Sequence, residues 1–305
     1  MNQSTSHLLM IRPVCFGFNE QTAGSNAFQK RDDTTGEVQT KAVHEFDVFV
    51  DTLRSNGVDV TVIDDTLEPH TPDSIFPNNW VSFHANGDIF LYPMQAENRR
   101  LERREDIIST LEDKFSVNRI EDLSRFETEG KFLEGTGSMV FDRINKIAYA
   151  CLSPRTDKQV LTLFCQQAGY RAVTFAAFDA RGVAIYHTNV LMGIGSGFAV
   201  VCLDSITSPD ERNTLVTELT NTGKEIINIS FDQVDHFAGN LLEVKNEGGE
   251  TLIVMSKNAY DAFNDVQKQT LSKYGRLVYA DINTIETIGG GSARCMMAEV
   301  FLPVR

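Results

Sequence analysis

The chain has 305 residues, of which 42% are hydrophobic, and a formal net charge of −14. This acidic excess repels a phosphate backbone, and no basic cluster is longer than two adjacent arginines, so nucleic acid is excluded as an expected partner. The N-terminus lacks a basic segment followed by an apolar one, and no apolar run approaches the length of a membrane span, which predicts a cytoplasmic protein without membrane contact.

Five cysteines are an odd number, and neither they nor the six histidines show the spacing of a disulfide framework or a metal site. We therefore predict a reducing compartment and no metal. Four cysteines stand among apolar residues and are predicted core residues. Cys295 differs because it follows three consecutive glycines and opens an apolar segment.

The predicted elements alternate between helices and strands along the chain. A first strand at residues 8–14 leads into a polar segment, Asn19 to Glu37, which is predicted to be a long mobile loop. Five predicted helices then each precede a short strand. The helices are centred on residues 43–53, 98–114, 157–168, 209–223 and a segment around Phe263 and Val266, and the strands on residues 58–62, 116–120, 172–175, 226–229 and 277–279.

A second set of apolar strands lies between these units, and each strand begins with a polar or small residue. They begin at Asn79, Gly137, Asn189, Asn240 and Cys295. The successive offsets of 58, 52, 51 and 55 residues are typical of a repeated supersecondary unit. We predict one α/β catalytic domain over residues 1–305, folded as a five-bladed propeller of strand, strand, helix, strand units. The alternative, an ordinary α/β sheet, would have fewer strands for each helix.

Polar side chains at the equivalent positions of five repeats are expected to converge on the axis of such a ring. They are Asn79, Glu134, His187, Asn240 and Cys295. Each alone could serve turn chemistry or the core, but together they supply a nucleophile, an acid–base group and a carboxylate.

Cys295 is the candidate nucleophile. Glycines ahead of it would let a substrate approach, and the adjacent Arg294 would favour the thiolate. A buried structural cysteine is the alternative interpretation.

Five motifs spread from the first repeat to the last carry a resemblance to a known superfamily. They are Pro72–Trp80 (PDSIFPNNW), Leu133–Gly137 (LEGTG), Leu152–Asp157 (LSPRTD), His187–Asn189 (HTN) and Gly289–Cys295 (GGGSARC). The set resembles the guanidine-modifying enzymes, five-fold α/β propellers (penteins) that include arginine deiminase, dimethylarginine hydrolase and the amidinotransferases. It looks most like the citrulline hydrolase branch.

The resemblance implies a covalent mechanism without a cofactor. Cys295 would attack the central carbon of a guanidino or ureido group and form an S-linked intermediate. His187 would protonate the departing nitrogen and later activate water. Glu134 would accept hydrogen bonds from the NH groups of the substrate and so hold the carbon near the sulfur.

The resemblance also implies a small amino acid as the substrate. Arg155 and Arg99 match positions that bind its α-carboxylate, since a guanidinium fork fits a carboxylate, although surface solvation is the alternative for both. Asp73 matches a position that could hold the α-ammonium.

Two departures from the deiminases favour a neutral substrate. Those enzymes carry aspartate at the position of Asn79, and arginine deiminase carries it again at the position of Asn189. A buried guanidinium needs carboxylates around it, whereas a ureido group combines a C=O acceptor with NH donors, which amides can match. We therefore expect hydrolysis of citrulline, or a close analogue, to ornithine, carbon dioxide and ammonia.

Other functions remain open at this point. A deiminase or a dimethylarginine-type hydrolase is the nearest alternative, and an amidinotransferase would use the same cysteine chemistry. A binding module resembling translation initiation factor 6 would share the fold without being an enzyme. The joint presence of Glu134, His187 and Cys295 favours an enzyme, while the oligomeric state is left undetermined.

Overall fold

The computed structural model describes residues 2–31 and 37–305. Fifteen strands in this part of the chain form five sheets of three strands each. The strands are β1 (His7–Arg12), β2 (Asp59–Asp64), β3 (Val81–Phe83), β4 (Asp88–Leu91), β5 (Arg119–Asp122), β6 (Val140–Asp142), β7 (Ile147–Cys151), β8 (Arg171–Phe175), β9 (Met192–Ile194), β10 (Phe198–Val201), β11 (Glu225–Asn228), β12 (Leu242–Lys245), β13 (Thr251–Ser256), β14 (Arg276–Ala280) and β15 (Ala298–Glu299).

All five sheets have the same strand pattern. The middle strand pairs antiparallel with one neighbour and parallel with the other, and the parallel pair is separated by a helix in the sequence. The sheet orders are β15-β1-β2, β3-β4-β5, β6-β7-β8, β9-β10-β11 and β12-β13-β14. The first sheet joins the two ends of the chain, since Leu8 lies opposite Glu299.

Thirteen α-helices and three short 3-10 helices connect the described strands. The α-helices are α1 (Glu20–Ala23), α2 (Val38–Ser55), α3 (Glu97–Arg100), α4 (Glu105–Glu112), α5 (Gly135–Ser138), α6 (Lys158–Ala168), α7 (Thr188–Leu191), α8 (Pro209–Asn221), α9 (Phe231–Asp235), α10 (Lys257–Ala262), α11 (Asp265–Ser272), α12 (Asn283–Gly289) and α13 (Ala293–Met296). The 3-10 helices are Pro77–Asn79, Ser124–Glu129 and Leu203–Ser205.

Local sequence signals explain where the longer helices begin and end. The Asp157 side chain accepts hydrogen bonds from two backbone N–H groups of the first turn of α6, and Gly169 ends that helix in the left-handed conformation. Ser208 caps α8 immediately before Pro209. These helices confirm the prediction of helices that each precede a short strand, and the structure adds that this strand pairs in parallel with the middle strand of its sheet.

Three predictions of local structure are wrong. The segment 98–114 holds two helices, α3 and α4, and the segment around Phe263 likewise holds α10 and α11 with Phe263 between them. The second set of strands does not begin at the polar residues. Asn79, Asn189 and Cys295 lie in one-turn helices. Strand β9 begins directly after its one-turn helix, and the strands β3 and β15 begin one residue further on.

The predicted loop 19–37 is only partly described, because residues 32–36 lie outside the described part. Residues 19–31, which we call the cover segment, contain the short helix α1, whose first turn is capped by the Asn19 side chain, and the rest of the segment consists of turns and irregular backbone. The backbone N–H of Lys30 donates to the carbonyl of Thr287 at 2.8 Å, which fixes the far end of the segment to α12.

Candidate active site

A small cavity of about 20 Å³ lies where the one-turn helices meet the cover segment. Six of the eight predicted site residues line it, namely Asp73, Asn79, Arg99, Arg155, His187 and Cys295. The other two lie directly behind this lining: Glu134 contacts His187, and Asn189 contacts Cys295. The fold therefore brings together residues from four of the five repeats, and Asn240 of the remaining repeat contacts Cys295.

Glu134 and His187 form a fully buried pair. The Nε2 atom of His187 lies 2.8 Å from Oε2 of Glu134. Burial would raise the pKa of Glu134, but the nearby Arg155 and the hydrogen bond from His187 hold it well below its usual range. Burial lowers the pKa of His187 to about 4, although Glu134 opposes this shift. An ionised Glu134 can only accept, so the neutral imidazole carries its proton on Nε2 and keeps a lone pair on Nδ1.

The absence of a side chain at Gly137 leaves the space that the His187 imidazole and the Asn79 amide occupy. A Cβ atom on Gly137 would lie 2.7 Å from Nδ1 of His187 and 2.5 Å from Nδ2 of Asn79. Real Cβ atoms essentially never come so close, so a side chain at position 137 would displace both groups.

Two amides, rather than a cation, contact the sulfur of Cys295. Nδ2 of Asn240 lies 3.3 Å from Sγ, and Nδ2 of Asn189 lies 3.4 Å from it. The backbone N–H of Arg294 donates to Oδ1 of Asn240 at 3.0 Å, which orients the amide with its NH₂ group toward the sulfur. The Arg294 side chain, predicted to favour the thiolate, donates to Glu299 at 2.8 Å and interacts with Cys295 through its charge rather than through a hydrogen bond.

Arg99 fixes the orientation of the Asn79 amide. Its Nη1 donates to Oδ1 of Asn79 at 2.8 Å, while Nε and Nη2 donate to the two carboxylate oxygens of Glu102, each at 2.9 Å. An arginine has no acceptor, so the oxygen of Asn79 must face it. Nδ2 of Asn79 is consequently left buried with no hydrogen-bond partner among the described residues.

Asp73 and Arg155 are held by the cover segment. Oδ2 of Asp73 accepts from the Asn19 side chain at 2.8 Å, and Oδ1 is buried with no partner in the described part of the chain. The Arg155 guanidinium donates to the Ser25 hydroxyl at 2.6 Å and contacts Glu134 at 3.4 Å. Both side chains line the cavity while contacting residues that cover it.

The glycine motif makes room for the cover segment, not only for a substrate. Gly290 has φ of 65°, and a Cβ there would lie 2.6 Å from Nδ2 of Asn26, which donates to the Gly290 carbonyl. A Cβ on Gly291 would lie 2.9 Å from the Phe76 ring. A cavity of about 20 Å³ has room for about one water molecule and is too small for an amino acid. A substrate therefore does not fit between these residues in the described conformation.

Sequence reasoning missed several residues that shape the site. Glu102 stands three positions after Arg99, and i, i+3 spacing of opposite charges on a helical turn is a signal that could have found it. Ser25 and Asn26 gave no such signal, because their contacts are made across 130 and 264 positions in sequence.

Neither metal-binding nor membrane-spanning features are found in the described residues. No group of three or more His, Cys, Asp and Glu side chains there could hold a metal ion. Among the described helices, none combines the length and apolar character needed to cross a bilayer.

A family model matches residues 12–302, and its description is N,N dimethylarginine dimethylhydrolase, eukaryotic. A search of curated proteins finds no match to the chain.

Solved structures of similar fold include three differently named proteins. ArgZ, described as an arginine dihydrolase from the ornithine-ammonia cycle in cyanobacteria, has a TM-score of 0.75 at 16% identity over 98% of this chain. AgrE, solved with ornithine and NAD⁺, has a TM-score of 0.75 at 17% identity over 99% of this chain. The chain spans about two fifths of these proteins, 41% and 40%, but 98% of the ArgZ N-terminal domain. A dimethylarginine dimethylaminohydrolase variant bound to S-methyl-L-thiocitrulline has a TM-score of 0.66 at 15% identity, over 98% of this chain and 100% of its own.

Proposed function

The chain belongs to the N,N dimethylarginine dimethylhydrolase family of the guanidine-modifying superfamily and is a hydrolase of C–N bonds; from this premise, we propose that it hydrolyses the ureido group of citrulline or a close analogue. The products are ornithine, carbon dioxide and ammonia, and no cofactor takes part. The family match confirms the superfamily predicted from the motifs.

The unpaired amide of Asn79 carries this proposal. Its Nδ2 donor is buried beside the cavity, and a buried donor without a partner costs about 1–3 kcal/mol. The oxygen of a ureido group would accept that hydrogen bond. A guanidinium would not, because all of its nitrogen-bound hydrogens are donors and it has no acceptor.

The charges around the cavity support a neutral substrate as well. Glu134 already accepts from His187, from Arg155 and from the backbone N–H of Gln95. Arg155 and Arg99 add two positive charges to the lining. A guanidinium would enter between these cations with few free acceptors, whereas a ureido group brings no charge.

The first half of the reaction forms the intermediate. Nδ1 of His187 takes the thiol proton of Cys295 as Sγ bonds to the ureido carbon, and the electron pair of the C=O bond moves to oxygen. The Nδ2 donor of Asn79 stabilises that oxygen. When the C=O bond re-forms, the C–N bond to the terminal nitrogen breaks. The His187 imidazolium returns its proton to this nitrogen, and ammonia leaves.

The second half releases the enzyme. His187 takes a proton from water, the resulting hydroxide bonds to the carbon, and the C–S bond breaks as Cys295 regains a proton from the imidazolium. The product is a carbamate of ornithine, which loses carbon dioxide. One citrulline and one water thus give one ornithine, one carbon dioxide and one ammonia.

The amino-acid end of the substrate requires the cover segment to move. The Ser25 hydroxyl accepts a hydrogen bond from the Arg155 guanidinium, and the Asn19 side chain donates one to an oxygen of Asp73. When the segment moves, Arg155 is available for the α-carboxylate and Asp73 for the α-ammonium. Arg99 is less suited to the carboxylate role, because Glu102 and Asn79 take most of its donors.

We place this chemistry on one catalytic domain, residues 1–305, with the five sheets as the blades of a propeller. Packed side chains from successive sheets support a closed ring. Leu9 packs in one cluster with Val81, Phe90 with Phe141, Tyr149 with Val200 and Ile253, and Val254 with Leu8. All five cysteines are free, which agrees with a reducing, cytoplasmic location.

A second candidate rests on Asp73. Its Oδ1 is a buried acceptor without a described partner, and it could accept from a guanidinium as well as from an ammonium. Hydrolysis of arginine or of dimethylarginine, the activities named for similar proteins, is therefore the alternative.

Product analysis distinguishes the two candidates. Purified protein is incubated with citrulline, arginine or N,N-dimethylarginine, and ornithine, citrulline and ammonia are quantified. We expect equimolar ornithine and ammonia from citrulline. Rapid formation of citrulline from arginine or dimethylarginine, with citrulline itself unchanged, would establish the alternative.

A further inference from the structure

A basic pocket lies outside the active site, at the turn between β6 and β7 and beside the C-terminal segment. Its cavity of about 70 Å³ is lined by Arg143, Lys146 and Tyr170, together with His84 and Phe301. None of these residues lines the active-site cavity. A concentration of cations is unexpected in a chain with a net charge of −14.

The positive charges of the basic pocket are incompletely balanced. Arg143 is 3% exposed, and its contact with Glu299 is long, at 3.5 Å, because Glu299 accepts from Arg294 at 2.8 Å. Two buried guanidinium groups thus share one carboxylate. Lys146 makes no ion pair within residues 2–31 and 37–305.

The other carboxylate at the basic pocket does not supply the missing charge. Oδ2 of Asp88 accepts from Arg119 at 2.9 Å and from Asn86 at 2.7 Å, and its Oδ1 accepts from Asn118 at 3.2 Å. Asp88 is therefore already neutralised by Arg119.

Aromatic rings give the cations only partial compensation. The Arg143 guanidinium lies 4.0 Å from the centre of the Phe301 ring, and the Lys146 ammonium lies 4.6 Å from that of Tyr170. Cation–π contacts are weaker than the cost of burying an arginine without a full counter-charge. Burial and the neighbouring Arg143 also lower the pKa of Lys146, so the two cations repel each other.

Tyr170 supplies a separate sign of a missing ligand. The residue is only 7% exposed, and its hydroxyl oxygen faces the Arg143 guanidinium, which can only donate, so its O–H has no acceptor among the described residues. The hydroxyl would donate to an anion in the cavity. The cavity has room for about two water molecules, comparable to one tetrahedral oxyanion.

We propose that the basic pocket binds a small oxyanion of phosphate size through Arg143, Lys146 and the Tyr170 hydroxyl. The bound anion would neutralise the positive charges of Arg143 and Lys146, so that Glu299 would pair with Arg294 alone. The oxyanion is either free inorganic phosphate or the phosphate group of a larger molecule, since the pocket opens to the surface.

Calorimetric titration of the full-length protein with sodium phosphate, at constant ionic strength set with sodium chloride, tests the proposal. We expect saturable binding and a higher Tm with phosphate. Lys146→Asn should weaken binding about tenfold or more, because a charged hydrogen bond is lost. Asparagine tolerates the left-handed backbone of position 146, where φ is 55°. Tyr170→Phe keeps the ring and should weaken binding about fivefold.

A control separates the basic pocket from general charge effects. Lys158→Asn makes the same substitution at an exposed position and should bind phosphate as the wild type does. A parallel titration with methyl phosphate identifies the source: equal affinity supports a phosphoester ligand, and loss of affinity supports free phosphate. Absence of saturable binding would overturn the proposal, as would binding that survives both Lys146→Asn and Tyr170→Phe, since it then belongs to another site.

Discussion

Replacing Asn79 with aspartate should reverse the electrostatic preference of the active site. In the wild type, Arg99 holds the amide oxygen and the amide NH₂ is left to donate. In Asn79→Asp, one carboxylate oxygen takes the contact with Arg99 and the other takes the place of the donor. A ureido oxygen would then meet an acceptor where it had a hydrogen bond, while a guanidinium would gain an acceptor.

The two effects differ in size. Loss of a donor to a developing oxyanion costs ~10²-fold to ~10³-fold in turnover, so kcat/KM for citrulline should fall by about two decades or more. The gain for arginine is smaller, about one decade, because Arg99 already pairs with the new carboxylate and takes part of its charge. The ratio of the two kcat/KM values should therefore change by about three decades, mostly through citrulline.

The assay is kcat/KM for citrulline and arginine, together with arginine affinity in a Cys295→Ser background. Asn98→Asp is the matched control. It adds the same negative charge at a residue that contacts Asn19 of the cover segment but does not line the cavity, so the ratio of the two kcat/KM values should not change. An Asn79→Asp enzyme that turns over citrulline as fast as the wild type would refute the role of the Asn79 donor.

Three further predictions follow from the site. Gly137→Ala should lower kcat/KM at least ~10²-fold, since its Cβ would displace Asn79 and His187. Gly17→Ala is the control and should not lower kcat/KM, because position 17 has open space for a Cβ. Equal activity of the two variants would contradict the close packing at Gly137. Because burial lowers the pKa of His187 to about 4, kcat/KM should stay flat from pH 7 to about 5 and fall only near 4, where the imidazole becomes charged; an inflection near 6.5 would show an ordinary histidine. Ser25→Ala removes two hydrogen bonds to Arg155, so amides of the cover segment should exchange about 5- to 30-fold faster by mass spectrometry; unchanged exchange would mean that other contacts hold the segment.

Much of the fold could be predicted because its signals are local. Capping residues and glycines mark the ends of the longer helices. The repeat period of about 54 residues shows where the equivalent segments of the five units lie in the sequence. The one-turn helices before β3, β9 and β15 could not be predicted. A single turn of four residues has no amphipathic pattern, and the apolar residues that follow it read as a longer strand.

The residues of the site were easier to predict than their contacts. Cys295, His187 and Asn79 stood out by residue type at repeated positions, and the structure brings them together. Their partners depend on tertiary packing. Glu299, which accepts from the Arg294 guanidinium, lies only five positions away, but the Asn240 amide contacts the sulfur across 55 positions, and no local pattern indicates that contact.

Trapping the covalent intermediate tests the central claim most directly, because it reports on the nucleophile and the substrate together. The enzyme is mixed with citrulline labelled at the ureido carbon, quenched in acid within one turnover, digested and analysed by mass spectrometry. We predict a labelled adduct on Cys295 with the mass of citrulline less ammonia, and none in Cys295→Ser. An adduct that forms from arginine but not from citrulline, or a label on any other residue, would contradict the account.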